Sequence, residues 1–288
     1  MGAGVWGWPI WTYLWAAGVA GGGFFAAFLV NLFTRNSHKS MLRVSTVIGV
    51  PLVLIGTLLL VIDLGNPLWS WHLFVTFLPL SPMSVGSWVL LLWSVCAIVL
   101  TVLWFAEDYE PAKGQHNLLS SAVSWLRPLV RLSGVLGWFA FGLAVLLISY
   151  TGVLLTTTSR SMWATMLLPG LFVVSAVATG LAANVLAHVL LRRKIAHEFC
   201  RAGVFLCVLE AAVLIAFLAS VPSAVLLGGP LSWWFWIGVA LVGLLIPFVL
   251  DAFSSRAARI APLVLASTTG VLLGGLVLRA VIVIGGQM

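Results

Sequence analysis

The chain has 288 residues, of which 62% are hydrophobic and only 7% charged, and its formal net charge is +7. A soluble domain carries about 25% charged residues, so this much apolar surface excludes a water-soluble fold and implies side chains facing lipid. The positive charge, which elsewhere would suggest nucleic acid, is assigned here to loops that anchor a membrane protein, with no nucleic-acid partner.

A spanning helix needs about 20 mainly apolar residues. Eight stretches qualify, at roughly 10–33, 44–64, 85–106, 132–157, 163–191, 200–221, 233–253 and 260–284. The expected fold is an all-α integral membrane protein, a single eight-helix transmembrane domain. Residues 1–34 contain no Lys or Arg. The first stretch is therefore read as a span and not as a cleaved signal peptide. Its glycine triplet at 21–23 sits inside the helix, where its use is close packing. The fifth stretch is long enough to tilt or kink, with Pro169 near its start as the expected place. The link at 107–131 is too short for a soluble domain and has no phosphate-cradling glycine motif.

The links after helices 1, 3, 5 and 7 hold twelve of the fourteen Lys and Arg residues. The exceptions are Arg160, in the opposite set of links, and Arg279, inside helix 8. The positive-inside rule places the basic links in the cytoplasm and both termini outside. Twelve of the fifteen tryptophans fall at or near the outer ends. An aromatic belt should serve both interfaces, so the excess suggests an outer face crowded with protein or ligand.

Ionisable groups within spans are costly and mark candidate sites. Asp63, Tyr150 and Arg279 each lie 18 or 19 residues beyond the cytoplasmic start of helices 2, 4 and 8, which at 1.5 Å per residue is roughly 27–29 Å. Tyr13 enters from the opposite side and reaches a similar level. An acid, a cation and two phenols thus share one outer layer. Two readings stay open. Asp63 and Arg279 form a buried ion pair and the tyrosines are interfacial anchors, or the layer binds an apolar ligand with polar ends. Phenols donate hydrogen bonds to a carbonyl, and a neighbouring acid passes a proton. Deeper in the membrane, Glu210 in helix 6 and Asp251 at the inner end of helix 7 are candidates for a proton relay. For Glu210 the alternative is a protonated carboxyl bonded to a neighbouring helix. Asn31, Asn184 and His188 are the other polar groups of the inner half.

No pair of histidines at matching depth exists for a membrane haem, and the cysteines Cys96, Cys200 and Cys207 have no ligand spacing. Neither haem, nor an iron–sulfur cluster, nor a metal site is expected in this chain.

The segment DLGNPLWSWHLFVTFLPLSPMSVGSWVLLLW, from Asp63 to Trp93, resembles the membrane subunits of polysulfide reductase and nitrite reductase complexes, the NrfD-like family. AAGVAGG at 16–22, SYTGVLLT at 149–156, Trp163 with LPGLF at 168–172, and GGLVLRAVIVIGGQ at 274–287 extend the resemblance in order over nearly the whole chain. It implies a quinone-reactive anchor subunit of a molybdenum oxidoreductase, using menaquinone or ubiquinone, in a bacterial or archaeal cytoplasmic membrane. A ferredoxin-like iron–sulfur subunit would dock on the outer face and carry a molybdopterin catalytic subunit. Carried over by motif, Tyr150 matches a helix 4 tyrosine associated with the quinone, Asp63 an acid ending helix 2, and Arg279 a helix 8 arginine. Tyr13 stands where the polysulfide reductase branch has a histidine, a departure at the helix 1 contact. Trp71 and His72, in the 63–84 link, are candidates for the mouth of the site, with packing as the alternative. The rival class is a secondary transporter or a proton- or ion-translocating protein, against which the sequence has no inverted repeat and no paired broken helices.

Overall fold

A computed structural model of the chain describes residues 6–34, 39–63, 75, 81–109, 123–158, 160–191, 197–254 and 261–288. Among these, the regular structure is helical, and eight helices are long and apolar enough to cross a membrane. They are α1 (Trp8–Phe33), α2 (Lys39–Asp63), α3 (Pro82–Asp108), α4 (Ser133–Thr156), α5 (Leu167–Leu190), α6 (His197–Ser220), α7 (a π-helix over Trp234–Leu245 that continues as an α-helix over Ile246–Ser254) and α8 (Ala261–Gly285).

Helix α1 is the centre of the bundle. It packs against α2, α4, α5 and α8, and 72% of its apolar window is buried. The corresponding figures are 67% for α5 and 61% for α8, but only 22% for α6 and 28% for α7, which are peripheral. Small residues explain the difference. Ala16, Ala17, Gly18, Ala20 and Gly21–Gly23 leave α1 almost without side-chain volume on the faces its neighbours use. In lipid, where apolar burial gives helices no net drive to associate, such close approach supplies the packing. A methyl group on Gly22 would overlap the Ala176 carbonyl of α5. Gly243 of α7 and Gly274 of α8 meet in the same way, backbone to backbone.

Contacts fix the two ends of the bundle. Arg43, near the start of α2, holds Glu107 at 2.7 Å and also bonds Asp108, both at the end of α3. We call this the basic end. At the opposite end, the Trp6 amide donates to Gln287 Oε1 at 2.6 Å, and Gln287 Nε2 donates back to the Trp6 carbonyl at 3.0 Å. The Trp6 ring stacks on Trp163 at 5.3 Å, and Trp163 Nε1 donates to the Ile282 carbonyl at 2.9 Å. Trp6, Gln287 and the turns at 160–166 between α4 and α5 therefore share this terminal end. That is the parity expected of an even number of crossings.

The fifth span departs from expectation. It begins at Leu167 and not at 163, because residues 160–166 form turns closed by bonds such as Trp163 N–H to the Arg160 carbonyl at 3.0 Å. Pro169 consequently lies in the first helical turn. Its missing N–H has no intrahelical acceptor there, so no kink is required. The π-helix in α7 has no counterpart in the sequence expectations. Its ladder reverts to the α register just before Pro247, which has no N–H to offer the Gly243 carbonyl.

Candidate functional site

Two phenols meet near the terminal end. Tyr13 of α1 is 2% exposed, and its Oη accepts a hydrogen bond from Tyr150 Oη of α4 at 3.4 Å. That distance is long for O–H···O, so either hydroxyl exchanges it for a better acceptor at little cost. Tyr150 stands at the junction of the two main apolar clusters of the bundle, packing against both. Its ring packs against Gly86 of α3, where a methyl group would overlap Cε2 and Cδ2. Gly86 is the glycine of the SPMS-x-G-x-W segment, and the contact explains why that position has no side chain.

Asp63, the last residue of α2, is exposed, one helical turn beyond buried Leu60. Gly56 of α2 faces the Tyr13 backbone, so Asp63, seven residues on, lies about 10 Å further along α2 toward the terminal end. Trp71 and His72 lie outside the described residues.

Arg279 lies six residues before the end of α8, and its side chain turns back along the bundle. A helical side chain leans toward the N-terminus of its own helix, which for α8 is the basic end. Arg279 Nη1 donates to the Gly275 carbonyl at 2.9 Å and to Ser175 Oγ of α5 at 3.3 Å. Its guanidinium carbon lies 5.5 Å from the centre of the Phe172 ring. Nη2 approaches Gly18 of α1, where an added methyl would sit 2.7 Å away, about 7.5 Å along α1 from Tyr13. The group is fully buried, with Nε and Nη2 lacking a hydrogen-bond partner among the described residues. No ion pair joins Asp63 to Arg279 among the described residues, which corrects the ion-pair reading. Ser175 of α5 lies between Arg279 and Glu210 of α6, and no direct ion pair joins those two among the described residues.

Asp251 of α7 lies nearer the basic end, against Gly203 of α6. It borders a cavity of about 30 Å³ shared with Cys207, Ser267 and Thr268. Such a space holds a water molecule or two. Cys207, which lines that cavity, lies one helical turn before Glu210. The buried polar groups thus form a broken column running Asp251, cavity, Glu210, Ser175, Arg279 and then toward Tyr13. Asn184 and His188 stand apart from it. Asn184 Nδ2 donates to the Gly23 carbonyl at 2.8 Å, tying α5 to α1, and His188 Nδ1 lies 2.8 Å from the Asn184 carbonyl.

The sequence named Tyr13, Tyr150, Asp63, Arg279, Glu210 and Asp251. Ser175 and the ring-bearing role of Gly86 were missed. Ser175 left one signal, a hydroxyl four residues before Thr179 on a span with little else that is polar.

The chain matches the family model described as "Polysulphide reductase, NrfD" over residues 2–288. It is 32% identical to Protein NrfD of Escherichia coli (strain K12), covering 99% of this chain and 95% of that one. It is 30% identical to the C subunit of polysulfide reductase from Wolinella succinogenes, over 98% of this sequence and 94% of that one. Identity to the NrfD homolog of Haemophilus influenzae is 26%, over 86% and 84%.

Proposed function

This chain belongs to the polysulphide reductase/NrfD family, and on that footing we propose that it is the quinone-reactive membrane anchor of a molybdopterin and iron–sulfur oxidoreductase. The setting would be a bacterial or archaeal cytoplasmic membrane, with the basic end in the cytoplasm. A ferredoxin-like iron–sulfur subunit would dock on the terminal end, above the tyrosines, and carry the catalytic subunit. The name of the Wolinella succinogenes relative, one lettered component of polysulfide reductase, supports a place in a multisubunit enzyme.

The observation that carries the reading is the Tyr13–Tyr150 pair, a buried and a half-buried phenol whose hydroxyls lie 3.4 Å apart where the two main apolar clusters of the bundle meet. The residues fit a quinone. A carbonyl oxygen accepts from a phenol O–H, and the weak bond between the two phenols leaves both free to turn toward one. A bound quinone supplies two-electron, two-proton exchange between the membrane pool and external clusters. Tyr13 and Tyr150 bind and orient the head group. Gly86 admits the Tyr150 ring. Asp63, exposed at the end of α2, exchanges protons between Tyr13 and water. Arg279 places a fixed positive charge more than one helical turn beneath the pair, where it favours developing negative charge. Asp251, the adjoining cavity and Glu210 offer a proton route from the basic end.

Tyr150→Phe in the assembled complex tests the proposal. Loss of one hydrogen bond to a charged or charging oxygen, about 1.5–3 kcal/mol, lowers quinol-dependent turnover about tenfold to a hundredfold, with the chain still inserted and assembled. Unchanged turnover would remove Tyr150 from the site. The buried column of Asp251, Glu210 and Arg279 favours one alternative, an ion-translocating protein working without redox partners. Purification separates them: an anchor brings an iron–sulfur protein with it, and a transporter comes out alone.

A further inference from the structure

A second site lies at the basic end, away from the tyrosines. A groove of about 750 Å³ opens between the start of α2 and the end of α5. Its mouth is lined by Lys39, Asp108 and, at the end of α5, Leu190 and Leu191, and its deeper walls by Val44, Val47, Ile48 and Ala187. Val47 and Ile48 lie roughly 12 Å along α2 from Lys39, so the groove grades from charged at the helix ends to apolar toward the membrane interior. We propose that it binds a phospholipid whose head group carries both a phosphate and a primary ammonium, the phosphatidylethanolamine class.

The charges select that head group. Arg43 is already engaged, forked between Glu107 and Asp108. Lys39 has no hydrogen bond or ion pair among the described residues, and it offers a free cation. Asp108 keeps 61% of its side chain exposed against 39% for Glu107, so its carboxylate can accept a further donor. Among the described residues at the mouth, Lys39, Arg43, Glu107 and Asp108 sum to zero formal charge. A singly anionic head group would gain at Lys39 and lose at the two carboxylates. A zwitterion places its phosphate on Lys39 and its ammonium on Asp108. A trimethylated ammonium has no N–H to donate to that carboxylate. The volume admits a head group and the upper part of one acyl chain, within the usual range for ligand sites.

Native mass spectrometry of the full chain, released from mild detergent with equal amounts of phosphatidylethanolamine, phosphatidylglycerol and phosphatidylcholine, tests this. Phosphatidylethanolamine is expected to be retained about threefold to tenfold over the other two. Lys39→Ala lowers retention of all three lipids, Lys39→Arg preserves it, and Asp108→Asn narrows the gap between ethanolamine and choline lipids. Soluble glycerophosphoethanolamine, which lacks the acyl tail that the apolar wall contacts, is not retained. Equal retention of the three lipids, preference for phosphatidylglycerol, retention of the soluble head group, or indifference to Lys39→Ala would each overturn the proposal. Lys39 is exposed at a helix start, so its substitutions do not threaten folding.

Discussion

Arg279 shows how a side chain can be named correctly from sequence and still be misread. Counting residues along α8 placed its backbone level with Tyr13 and Tyr150. The side chain then turns toward the basic end and bonds Gly275 and Ser175, with Glu210 rather than Asp63 on the far side of that serine. An arginine reaches more than one helical turn along its axis, and direction depends on which neighbours leave room. Gly18 of α1 leaves it. The heights of the two tyrosines were legible because each is counted from a single boundary. That their hydroxyls touch depends on helix rotation, which hydropathy does not encode. Arg279→Met is predicted to destabilise the protein by about 1–3 kcal/mol, since Ser175 and the Gly275 carbonyl lose a buried donor and Glu210 the cation beyond Ser175. Adding Glu210→Gln should recover part of the loss, so the double variant melts above Arg279→Met in detergent. Equal melting temperatures would show that the two groups are independent.

At the scale of the element, length and apolarity sufficed to find the spans, and small residues decide how they pack. Gly22 and Gly142 make a paired test. A methyl at Gly22 meets the backbone of α5, whereas at Gly142, on the lipid-facing side of α4, it meets nothing within 4 Å. Gly22→Ala is expected to cost about 1–3 kcal/mol or more through overpacking. Gly142→Ala should be neutral or stabilise by up to about 1 kcal/mol through helix propensity. Thermal unfolding in detergent distinguishes the two; similar effects at both sites would contradict the packing account. Two features of the elements were not legible. The start of α5 was set too early because the apolar run continues through Trp163, which is a buried plug in the link rather than part of the helix. The π register of Trp234–Leu245 changes hydrogen-bond partners without changing composition, so a hydropathy pattern passes over it.

For the molecule as a whole, the distribution of basic residues predicted that both termini share one side, and the Trp6–Gln287 bonds bring them together. Which helices would be neighbours was not legible, because every span is apolar on nearly all faces and periodicity does not point to a partner. The tryptophans divide between two roles that sequence counting merged. Trp163 is buried and braces the terminal end, while Trp233, Trp234 and Trp236 are exposed on the bundle surface. We expect the terminal end to face outside. A reporter active only after export, fused after Met288, should be active, and the same reporter inserted in the 192–196 link should be inactive. The reverse pattern would turn the bundle over and put the partner subunits in the cytoplasm.

The central claim is that a quinone head group is held between α1 and α4 at the terminal end. A photoactivatable quinone cross-linked to the assembled complex in native membranes, with the modified peptides then mapped, tests it most directly. The label should fall in the helices at 8–33 and 133–156, next to Tyr13 and Tyr150, and fade when unlabelled quinone competes. Labelling confined to the basic end, or to the α6 and α7 peptides, would contradict it.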